Sequence, residues 1–454
     1  MKKLKSVNGE WSSIGGATLT ATGAVIGLGN IWKYSYIAGQ NGGSAFLLLY
    51  MLCLFLFGLP LLMAELLMGK RGRASPPITF QKIAKDEGRS WTWLLVGVFS
   101  VIAGLVILSF YSVIAGWGLD YIWMSVRKTY EGLSRASVQG LFSTLNGKPW
   151  HLILWHTLFM GMTISIVARG VQDGIERISR MLVPVLFILM SILGLYAAIV
   201  GNMPRAMDYL FEPDFAAING KVVLMALGSA FFTLSLGVGV MLAYGAYLPD
   251  DVSILRISIW IVLGDIVAAL MSGIAIYPLV FANGLPVMQG PGLIFTILPT
   301  AFGHIDYGTF FGAVFYLTLV LAALTSAIAL LEPAVAWWSE LGMPRMKASL
   351  VLGGTVWLLG LLTVFSFNVW SSFLIFGHTW FGLLDVVSGN LMLPVIGLLV
   401  AIFVGWFMAE RSLRKELGIR RESMRLWLTL LRYVTPIGMM LILLKALGLV
   451  QGGV

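Results

Sequence analysis

Two long apolar segments of the chain are interrupted near their middle by glycines and small polar residues. The first reads TGAVIGLGN around Gly27, and the second reads FTLSLGVGV around Gly237. In lipid, backbone that leaves its helical hydrogen bonds is tolerated only where it is buried in protein or lines a wet cavity. Two such breaks, one in each half of the chain, predict a binding site near the middle of a membrane.

Hydroxyl side chains beside a break could add ligands for a cation. Thr325 and Ser326 lie together in the apolar stretch ALTSAIALLEP. A serine or threonine in a membrane helix usually bonds only its own backbone, and alone this pair carries little weight. A hard alkali cation takes about five or six oxygen ligands, however, and unwound carbonyls with Ser, Thr, Asn and Asp side chains can supply them.

An ionisable residue inside a membrane span needs a reason, because inserting it costs about 2.5 to 3.5 kcal/mol at a helix centre. Glu65 follows the tripeptide GLP, where its carboxylate could accept hydrogen bonds from the free N–H groups of a broken neighbouring helix. We expect Asp120 to lie at the outer interface. The full set of candidates is Lys33, Glu65, Asp120, Asp265, Glu332 and Asp385.

Enzymatic chemistry has little support in the sequence. Of the four histidines, His151 and His156 are five residues apart and do not share a helix face, so they do not predict a metal site. The sequence has no P-loop, nucleophile elbow or CxxC motif, which argues against ATP hydrolysis. The single cysteine, Cys53, excludes an internal disulfide and is expected in the core. We therefore expect no enzyme.

The composition is that of a polytopic membrane protein. Hydrophobic residues make up 58% of the 454 residues and charged residues 11%, and the mean hydropathy is +0.90. Apolar runs of about 20 residues, the length that a bilayer requires, predict eleven spans in one continuous domain. They begin near Ile14, Ser44, Trp91, His151, Gly174, Lys221, Ser253, Asp306, Ser349, Leu383 and Met424.

Two segments between spans have distinct patterns. The stretch NGLPVMQGPGLIFTILPTAFG predicts a short re-entrant or lid-like helix around residues 293–298. Residues 410–425 are amphipathic and heavily charged, as a cytoplasmic surface loop would be. Lys and Arg favour the side that holds the N-terminus and this loop, so the N-terminus is predicted to be cytoplasmic and the C-terminus outside. The basic residues are scattered without interleaved aromatics, which argues against a nucleic-acid partner.

Several motifs in order resemble the neurotransmitter:sodium symporter family. They are GAVIGLGNIWK, NGGSAFLLLY, GLPLLMAELLMG and FFTLSLGVG. The resemblance implies an all-α LeuT-type fold, with a 5+5 inverted repeat and discontinuous helices 1 and 6. The repeats would cover about residues 11–200 and 221–409, and residues 410–454 would form a cytoplasmic loop and an eleventh helix. The chain is most similar to the eleven-span bacterial amino-acid transporters of the family, which implies the bacterial inner membrane.

The same resemblance implies two sodium sites. One would use Val25, Asn30, Thr233 and Asp265. The other would use Gly23, Ile26, Ala322, Thr325 and Ser326. Many members have asparagine at the position of Asp265, and the chloride-dependent members bind chloride nearby. Tyr50, Ser229 and Thr233 match parts of that chloride site, but Ala269, one turn after Asp265, cannot coordinate an anion. Transport independent of chloride is therefore expected.

By the same resemblance, an amino-acid substrate would lie between the two breaks. Its carboxylate would meet the N–H groups of Leu28 and Gly29, where a helix N-terminus favours an anion. Monoamine carriers of the family have aspartate at the position of Gly27, so glycine there implies an amino acid. The implied substrate residues are Ala24, Val25, Leu28, Gly29, Ile107, Tyr111, Phe232, Thr233, Ser235, Val238, Ser326 and Leu330.

The resemblance also implies gates on both sides. Lys33 and Asp385 would form an outer ion pair, with lysine in place of the usual arginine, and Tyr111 and Phe232 would lie below it. On the inner side, Trp11, Tyr247 and Glu340 match a latch whose usual arginine is Asn8 here. Gly174 and Pro184 bracket nine residues, and this pattern is linked in similar proteins to local unwinding. An ordinary proline kink explains these two residues equally well.

Together these features predict a sodium symporter for neutral, hydrophobic amino acids that works by alternating access. A proton-coupled symporter of the same fold, with Asp265 or Glu332 as carrier, is one alternative. An amino-acid-sensing receptor or a channel is another, although a channel should show a continuous polar stripe. The expected partners are the amino acid, sodium ions and membrane lipid, in a monomer or weak dimer.

Overall fold

Apolar α-helices make up most of the structure, as the composition predicts. The computed structural model describes residues 8–286, 290 and 292–449. Within these residues there is no β-strand, only an isolated bridge between Ile375 and His378. The all-α class expected from the sequence is therefore confirmed.

The first half of the chain alternates long apolar helices with short connecting ones. In order, they are α1 (Ile14–Val25), α2 (Gly29–Gln40), α3 (Ser44–Gly72), α4 (Pro76–Asp86), α5 (Trp91–Val126), α6 (Arg135–Asn146), α7 (Pro149–Ala168), α8 (Val171–Val200) and α9 (Met203–Phe211).

The second half follows the same pattern. Its helices are α10 (Gly220–Thr233), α11 (Val240–Ala246), α12 (Ile254–Ala282), α13 (Leu293–Gly303), α14 (Gly308–Glu340), α15 (Arg345–Ser366), α16 (Trp380–Phe407), α17 (Glu410–Leu417) and α18 (Arg421–Ala446). The short buried helix α13 confirms the helix predicted near residues 293–298.

Most of the predicted spans correspond to one long apolar helix each, and two predicted spans are each divided into two helices by a break. In the described part of the chain, nine helices are long and apolar enough to cross a membrane, and α1 with α2 makes a tenth if the pair, bent by 48°, is one span. The sixth predicted span is divided between α10 and α11, each shorter than a membrane crossing. The count of eleven and the inverted repeat therefore remain predictions.

Local sequence explains where the broken helices begin and end. The Ser13 hydroxyl caps α1 by accepting the Gly16 N–H at 3.0 Å, and the Asn219 side chain caps α10 through the Val222 N–H at 3.0 Å. Between α10 and α11, Gly237 and Gly239 have φ of +78° and +75°. Helix α10 ends at Thr233, and glycine adopts this left-handed backbone without steric cost, so the two glycines keep the chain non-helical until α11 begins at Val240.

The two breaks lie at the centre of the helix bundle. Helix α14 is the most enclosed span, with 83% of its most apolar window buried, against 33% for α8 at the periphery. Helix α14 packs along α5 and against α1, while α11 packs against α3. The interrupted backbone of both breaks is thus surrounded by protein, as the cost of exposing it to lipid requires.

Candidate functional site

The first break opens the backbone between α1 and α2. Ile26 has an extended conformation, with φ of −82° and ψ of 96°, and it ends α1. The carbonyl groups in the last turn therefore lose the partners that a continuous helix would provide. On the other side of the break, the Leu28 N–H donates to the Tyr111 hydroxyl at 3.1 Å. The break thus presents acceptors from one half-helix and donors from the other.

The second break is held open by a buried carboxylate. The Gly237 N–H donates to Glu65 Oε1 at 2.8 Å, and Glu65 is fully buried. A hydrogen bond from a backbone N–H to a carboxylate stabilises the interrupted chain where no helical partner is present. The structural role predicted for Glu65 is confirmed.

A cavity lies between the two breaks and gathers nearly all the residues predicted for the substrate. Leu28 is the exception, because it lines a second cavity on the other side of Tyr111 and Phe232. The first cavity is lined by Ala24, Val25, Gly27, Gly29, Ile107, Tyr111, Phe232, Thr233, Ser235, Val238, Ser326, Leu330 and Leu393.

Leu393 is the lining residue that the sequence did not single out. It lies in a continuous apolar run of α16, with no adjacent polar group to distinguish it from a lipid-facing leucine. Its carbonyl oxygen would be 2.9 Å from a Cβ atom added to Gly237. Only the close approach of α16 to the second break identifies this residue.

The cavity wall is apolar apart from hydroxyl and backbone groups. None of the lining residues carries a charged side chain. The Ser326 hydroxyl donates to the Ala24 carbonyl at 3.0 Å, and Ser235 makes a longer bond to the same oxygen at 3.4 Å. Such a cavity can bind a small molecule whose charged groups meet the broken backbone while its remainder contacts Ile107, Val238 and Leu330.

A buried acidic cluster adjoins the cavity at Thr233. Asn30 Nδ2 donates to Asp265 Oδ1 at 2.7 Å, and the Tyr50 hydroxyl donates to Asp265 Oδ2. Tyr50 Oη is 2.8 Å from Thr233 Oγ1, whereas Asn30 Oδ1 is buried without a hydrogen-bond partner. The structure thus brings Asn30, Thr233 and Asp265 together, and one carboxylate with neutral oxygens is a donor set suited to a sodium ion.

Two residues that the resemblance compares with a chloride site lie one turn from this cluster, Ser229 before Thr233 on α10 and Ala269 after Asp265 on α12. Ser229 Oγ is buried and has no hydrogen-bond partner, and Ala269 is fully buried. The methyl group of Ala269 offers no donor to an anion. Within this cluster, Asp265 carries the one acidic side chain.

The second predicted ion set lies where α1 meets α14. A Cβ atom on Gly23 would be 3.5 Å from Thr325 Cβ, so the two backbones are in close contact. Thr325 Oγ1 donates to its own helix at the Ala322 carbonyl, 2.9 Å away, and Ile26 is buried at the break. The carbonyl end of α1 thus meets the Thr325 and Ser326 hydroxyls of α14, and a neutral donor set of this kind also fits an alkali cation.

The four residues predicted for the outer gate lie together above the cavity. Lys33 Nζ is 3.8 Å from Asp385 Oδ1 and 4.2 Å from the centre of the Phe232 ring. Tyr111 and Phe232 line both the central cavity and the outer one. These two aromatic rings form the partition between the cavities, and the ion pair lies outside it.

The inner residues form two networks. The Trp11 N–H donates to the Tyr247 carbonyl at 2.9 Å, and the Tyr247 hydroxyl donates to Glu332 Oε1 at 2.7 Å. Glu332 in turn forms a salt bridge with Arg345. This bridge was not predicted, because its two partners lie on separate helices.

Glu340 belongs to the second network, with different partners from Tyr247. Its Oε1 accepts hydrogen bonds from Asn8 Nδ2 at 3.1 Å and from the Ser75 N–H at 2.9 Å. Asn8, which occupies the position of the family's usual arginine, thus provides a neutral hydrogen bond to this carboxylate. Together the two networks hold the chain before α1 against α3, α11 and α14.

The segment between Gly174 and Pro184 is helical here. Gly174 lies in the first turns of α8, which have a π-helical pattern, and Pro184 lies inside the helix. Glu176 accepts hydrogen bonds from the Ser12 N–H at 2.8 Å and the Ser12 hydroxyl at 2.6 Å. The start of α8 is therefore tied to the start of α1 by a residue that the sequence did not single out.

Asp120 is enclosed by protein near the end of α5. It is 1% exposed, and its Oδ1 lies 2.9 Å from His151 Nε2 and 3.0 Å from Trp155 Nε1. The expected placement at the outer interface stays a prediction, and His151, at the start of α7, supplies the partner that burial requires. His156 is bonded elsewhere, to the Trp357 carbonyl, so the two histidines do act separately.

Comparison with known proteins agrees with this geometry. A model of the sodium:neurotransmitter symporter family matches residues 8–140 and 137–451. The uncharacterized sodium-dependent transporter YhdH of Bacillus subtilis is 36% identical over 447 residues, which cover 97% of this chain and 98% of that protein. An uncharacterized sodium-dependent transporter of Haemophilus influenzae is 30% identical over 450 residues, covering 96% of this chain and 98% of that protein.

A solved structure is also similar over nearly the whole chain. The crystal structure of MhsT in complex with L-phenylalanine superposes with a TM-score of 0.88 at 36% sequence identity. The match covers 96% of this chain and 99% of that one.

Proposed function

This chain belongs to the sodium:neurotransmitter symporter family and is a sodium-dependent transporter, and we propose that it takes up neutral, hydrophobic L-amino acids. Inward flow of sodium would drive uptake by alternating access between an outward-open and an inward-open state. The chain would lie in a bacterial inner membrane with its N-terminus in the cytoplasm, and residues 11–200 and 221–409 would form its two inverted repeats.

The observation that carries the substrate proposal is the cavity between the broken helices. An amino-acid carboxylate would bind the N–H groups at the start of α2 and the Tyr111 hydroxyl, and its ammonium group would bind carbonyls at the ends of α1 and α10. The side chain would then contact Ile107, Val238 and Leu330, which offer no charge to pair with a charged substrate. MhsT, which is similar in structure, holds L-phenylalanine in its crystal structure.

We also propose two sodium sites, one at the Asp265 cluster and one between α1 and α14. The charge of Asp265 would substitute for the chloride ion that other members bind. The fit of the oxygen donors supports this assignment: Asn30 Oδ1 is a buried acceptor without a partner. Coupling would arise because Val25 and Thr233 line the central cavity and would also be ligands of the proposed Asp265 site.

Equilibrium binding tests the proposed selectivity. Purified protein would be incubated with labelled leucine in sodium or in choline buffer, and unlabelled competitors would be added. We expect sodium-stimulated binding that leucine and aromatic amino acids displace, and that lysine, glutamate and decarboxylated amines displace weakly. Displacement by tryptamine or dopamine at lower concentration than tryptophan would refute the amino-acid proposal.

A further inference from the structure

Six basic side chains line one open cleft between α17 and the first turns of α18, which we name the basic cleft. Glu410 is the single acidic residue that lines it, so the charge of its lining is +6 − 1 = +5. Glu416 and Glu422 lie on the same helices but do not line the cleft. The basic residues are Arg411, Arg414, Lys415, Arg421, Arg425 and Arg432.

Most of this charge is uncompensated by the protein. Arg432 is the exception: it pairs with Glu410 at 3.0 Å and donates to the Gly405 carbonyl at 2.5 Å. The other five basic residues make no ion pair with any acidic side chain of the described structure, and all five are exposed. Like charges held this close repel one another, so the arrangement favours an anionic ligand.

The cleft is fixed to the rest of the molecule from two sides. The Ala409 N–H, just before α17, donates to Glu87 Oε2 at 3.0 Å, and Glu87 also pairs with Arg71 at 2.6 Å. Arg432 connects α18 to the end of α16 through its bond to Gly405. The basic side chains thus lie on two helices, α17 and α18, that are each hydrogen-bonded to the rest of the structure.

An apolar column leads from the cleft along an exposed side of α18. Tyr433 lines the cleft itself. Tyr433, Ile437 and Met440 are 52%, 60% and 45% exposed. Their spacing of four and three residues places them on one helix face. The Trp406 ring packs edge-on against Tyr433 with 5.6 Å between centres, an arrangement typical of the membrane interface.

We propose that the basic cleft binds the headgroup of an anionic phospholipid, with an acyl chain along the column from Tyr433 to Met440. Arginine is suited to this role because its planar guanidinium can donate two hydrogen bonds to one phosphate. A soluble phosphate compound would use the basic residues but not the apolar column. The continuity of charge and apolar surface on one side of α18 is what favours a lipid.

Lipid binding to purified protein tests this proposal independently of transport. Delipidated full-length protein would be titrated with phosphatidylglycerol or with phosphatidylcholine of the same acyl chains, and bound lipid counted by native mass spectrometry. We expect phosphatidylglycerol to bind about tenfold or more tightly, because each basic residue near an anionic lipid contributes to its attraction. Equal affinity for the two lipids would overturn the proposal.

A pair of matched variants locates the site. Arg421→Gln with Arg425→Gln should lower affinity for phosphatidylglycerol about tenfold and leave phosphatidylcholine binding unchanged. Arg169→Gln with Lys347→Gln removes the same charge from exposed positions on the same predicted side but outside the cleft, and should bind like the wild type. Equal loss in both pairs would overturn the site, because it would show a general surface effect.

Competition with a soluble headgroup separates a lipid site from a phosphate site. Glycerol phosphate carries the same phosphate chemistry without acyl chains. We expect it to displace phosphatidylglycerol only at concentrations at least about a hundredfold higher, because it gains nothing from the apolar column. Displacement at similar concentration would contradict the lipid assignment. Retained sodium-stimulated amino-acid binding in the Arg421→Gln, Arg425→Gln variant would show that the protein is folded.

Discussion

Gly27 is the residue where the backbone of the first break comes closest to side chains from other helices. A Cβ atom there would lie 2.4 Å from Ser326 Oγ and 2.7 Å from the Tyr111 hydroxyl oxygen. Both distances are below any normal contact. Glycine at this position therefore keeps two predicted substrate residues next to the broken backbone.

Replacing Gly27 with alanine should weaken amino-acid binding about 5- to 150-fold, since relieving such overlap costs about 1 to 3 kcal/mol. Gly15→Ala is a matched control, because Gly15 lies in α1, before the break, with nothing within 4 Å of an added Cβ. Both would be measured by sodium-stimulated leucine binding. Unchanged affinity in Gly27→Ala would contradict the placement of the substrate against Gly27.

Asp265 should make transport independent of chloride. Replacing chloride with gluconate is expected to leave wild-type uptake essentially unchanged, because a permanent carboxylate already faces the ion site. Asp265→Asn should lower the apparent sodium affinity about tenfold or more, since a full charge is replaced by a dipole. Adding Ala269→Ser to that variant restores an anion ligand, and chloride should then stimulate uptake.

Two outcomes decide this prediction. Strong chloride dependence of the unmutated protein would refute the substitution of chloride by Asp265. The absence of any chloride effect in the Asp265→Asn, Ala269→Ser variant would show that Tyr50 and Ser229 do not form an anion site here.

At the scale of helices, glycine and proline patterns predicted the breaks well. The breaks near Gly27 and Gly237 and the short helix α13 follow from local backbone preferences, which the residues themselves determine. Pairings between distant helices were not predictable in this way. Glu332 with Arg345, Asp120 with His151 and Glu176 with Ser12 depend on how helices pack, and a single sequence carries no pairwise signal for them.

Helix α8 is expected to control access to the ion site between α1 and α14. A Cβ atom on Gly23 would lie 2.6 Å from Val183 Cγ2, so Val183, one residue before Pro184, packs directly on the break. Val183→Ala should lower the apparent sodium affinity about fivefold, because losing this contact costs about 1 kcal/mol in the closed arrangement only. The Val185 side chain, on the same helix, is 37% exposed. Val185→Ala should therefore have little effect.

Hydrogen exchange would show whether this control involves unwinding. We expect the amides of residues 171–184 to exchange more slowly with sodium and substrate present than without them. Equal exchange in the two conditions would indicate an ordinary proline kink.

Glu87 connects the residue before α17 to the end of α3 through the Ala409 N–H and Arg71. Burial alone would raise the pKa of Glu87, but hydrogen bonds from Arg71 and the Ala409 N–H outweigh it and lower the pKa below its ordinary value. Glu87→Gln should therefore destabilise the protein by about 1.5 to 3 kcal/mol near neutral pH, as expected for a hydrogen bond to a charged group. The exposed neighbour Asp86, changed to Asn, is the control for loss of charge.

The effect should depend on pH in a definite direction. A carboxylate with a lowered pKa stabilises the folded state above the ordinary pKa of glutamate, and this contribution is lost as the pH falls through the lowered value. The difference in thermal midpoint between wild type and Glu87→Gln should thus shrink in acid. A difference that grows as the pH falls would contradict the assignment.

For the molecule as a whole, the structure places the central cavity between the two groups of residues proposed as gates. The Lys33–Asp385 pair lies outside the Tyr111 and Phe232 rings, and the Trp11, Tyr247 and Glu332 network lies on the other side of the cavity. Alternating access requires that only one of these groups opens at a time. Substrate and sodium must bind together for such a cycle to perform symport.

Sodium-driven uptake into proteoliposomes tests this account most directly. With labelled leucine on both sides at equal concentration, an inward sodium gradient should drive net accumulation, and a proton gradient alone should not. The Thr325→Ala, Ser326→Ala variant should lose this accumulation, whereas Thr318→Ala, a buried hydroxyl earlier on α14 that bonds its own helix, should retain it. Accumulation by the wild type without a sodium gradient, or equal accumulation by the double variant, would contradict sodium-coupled symport through this site.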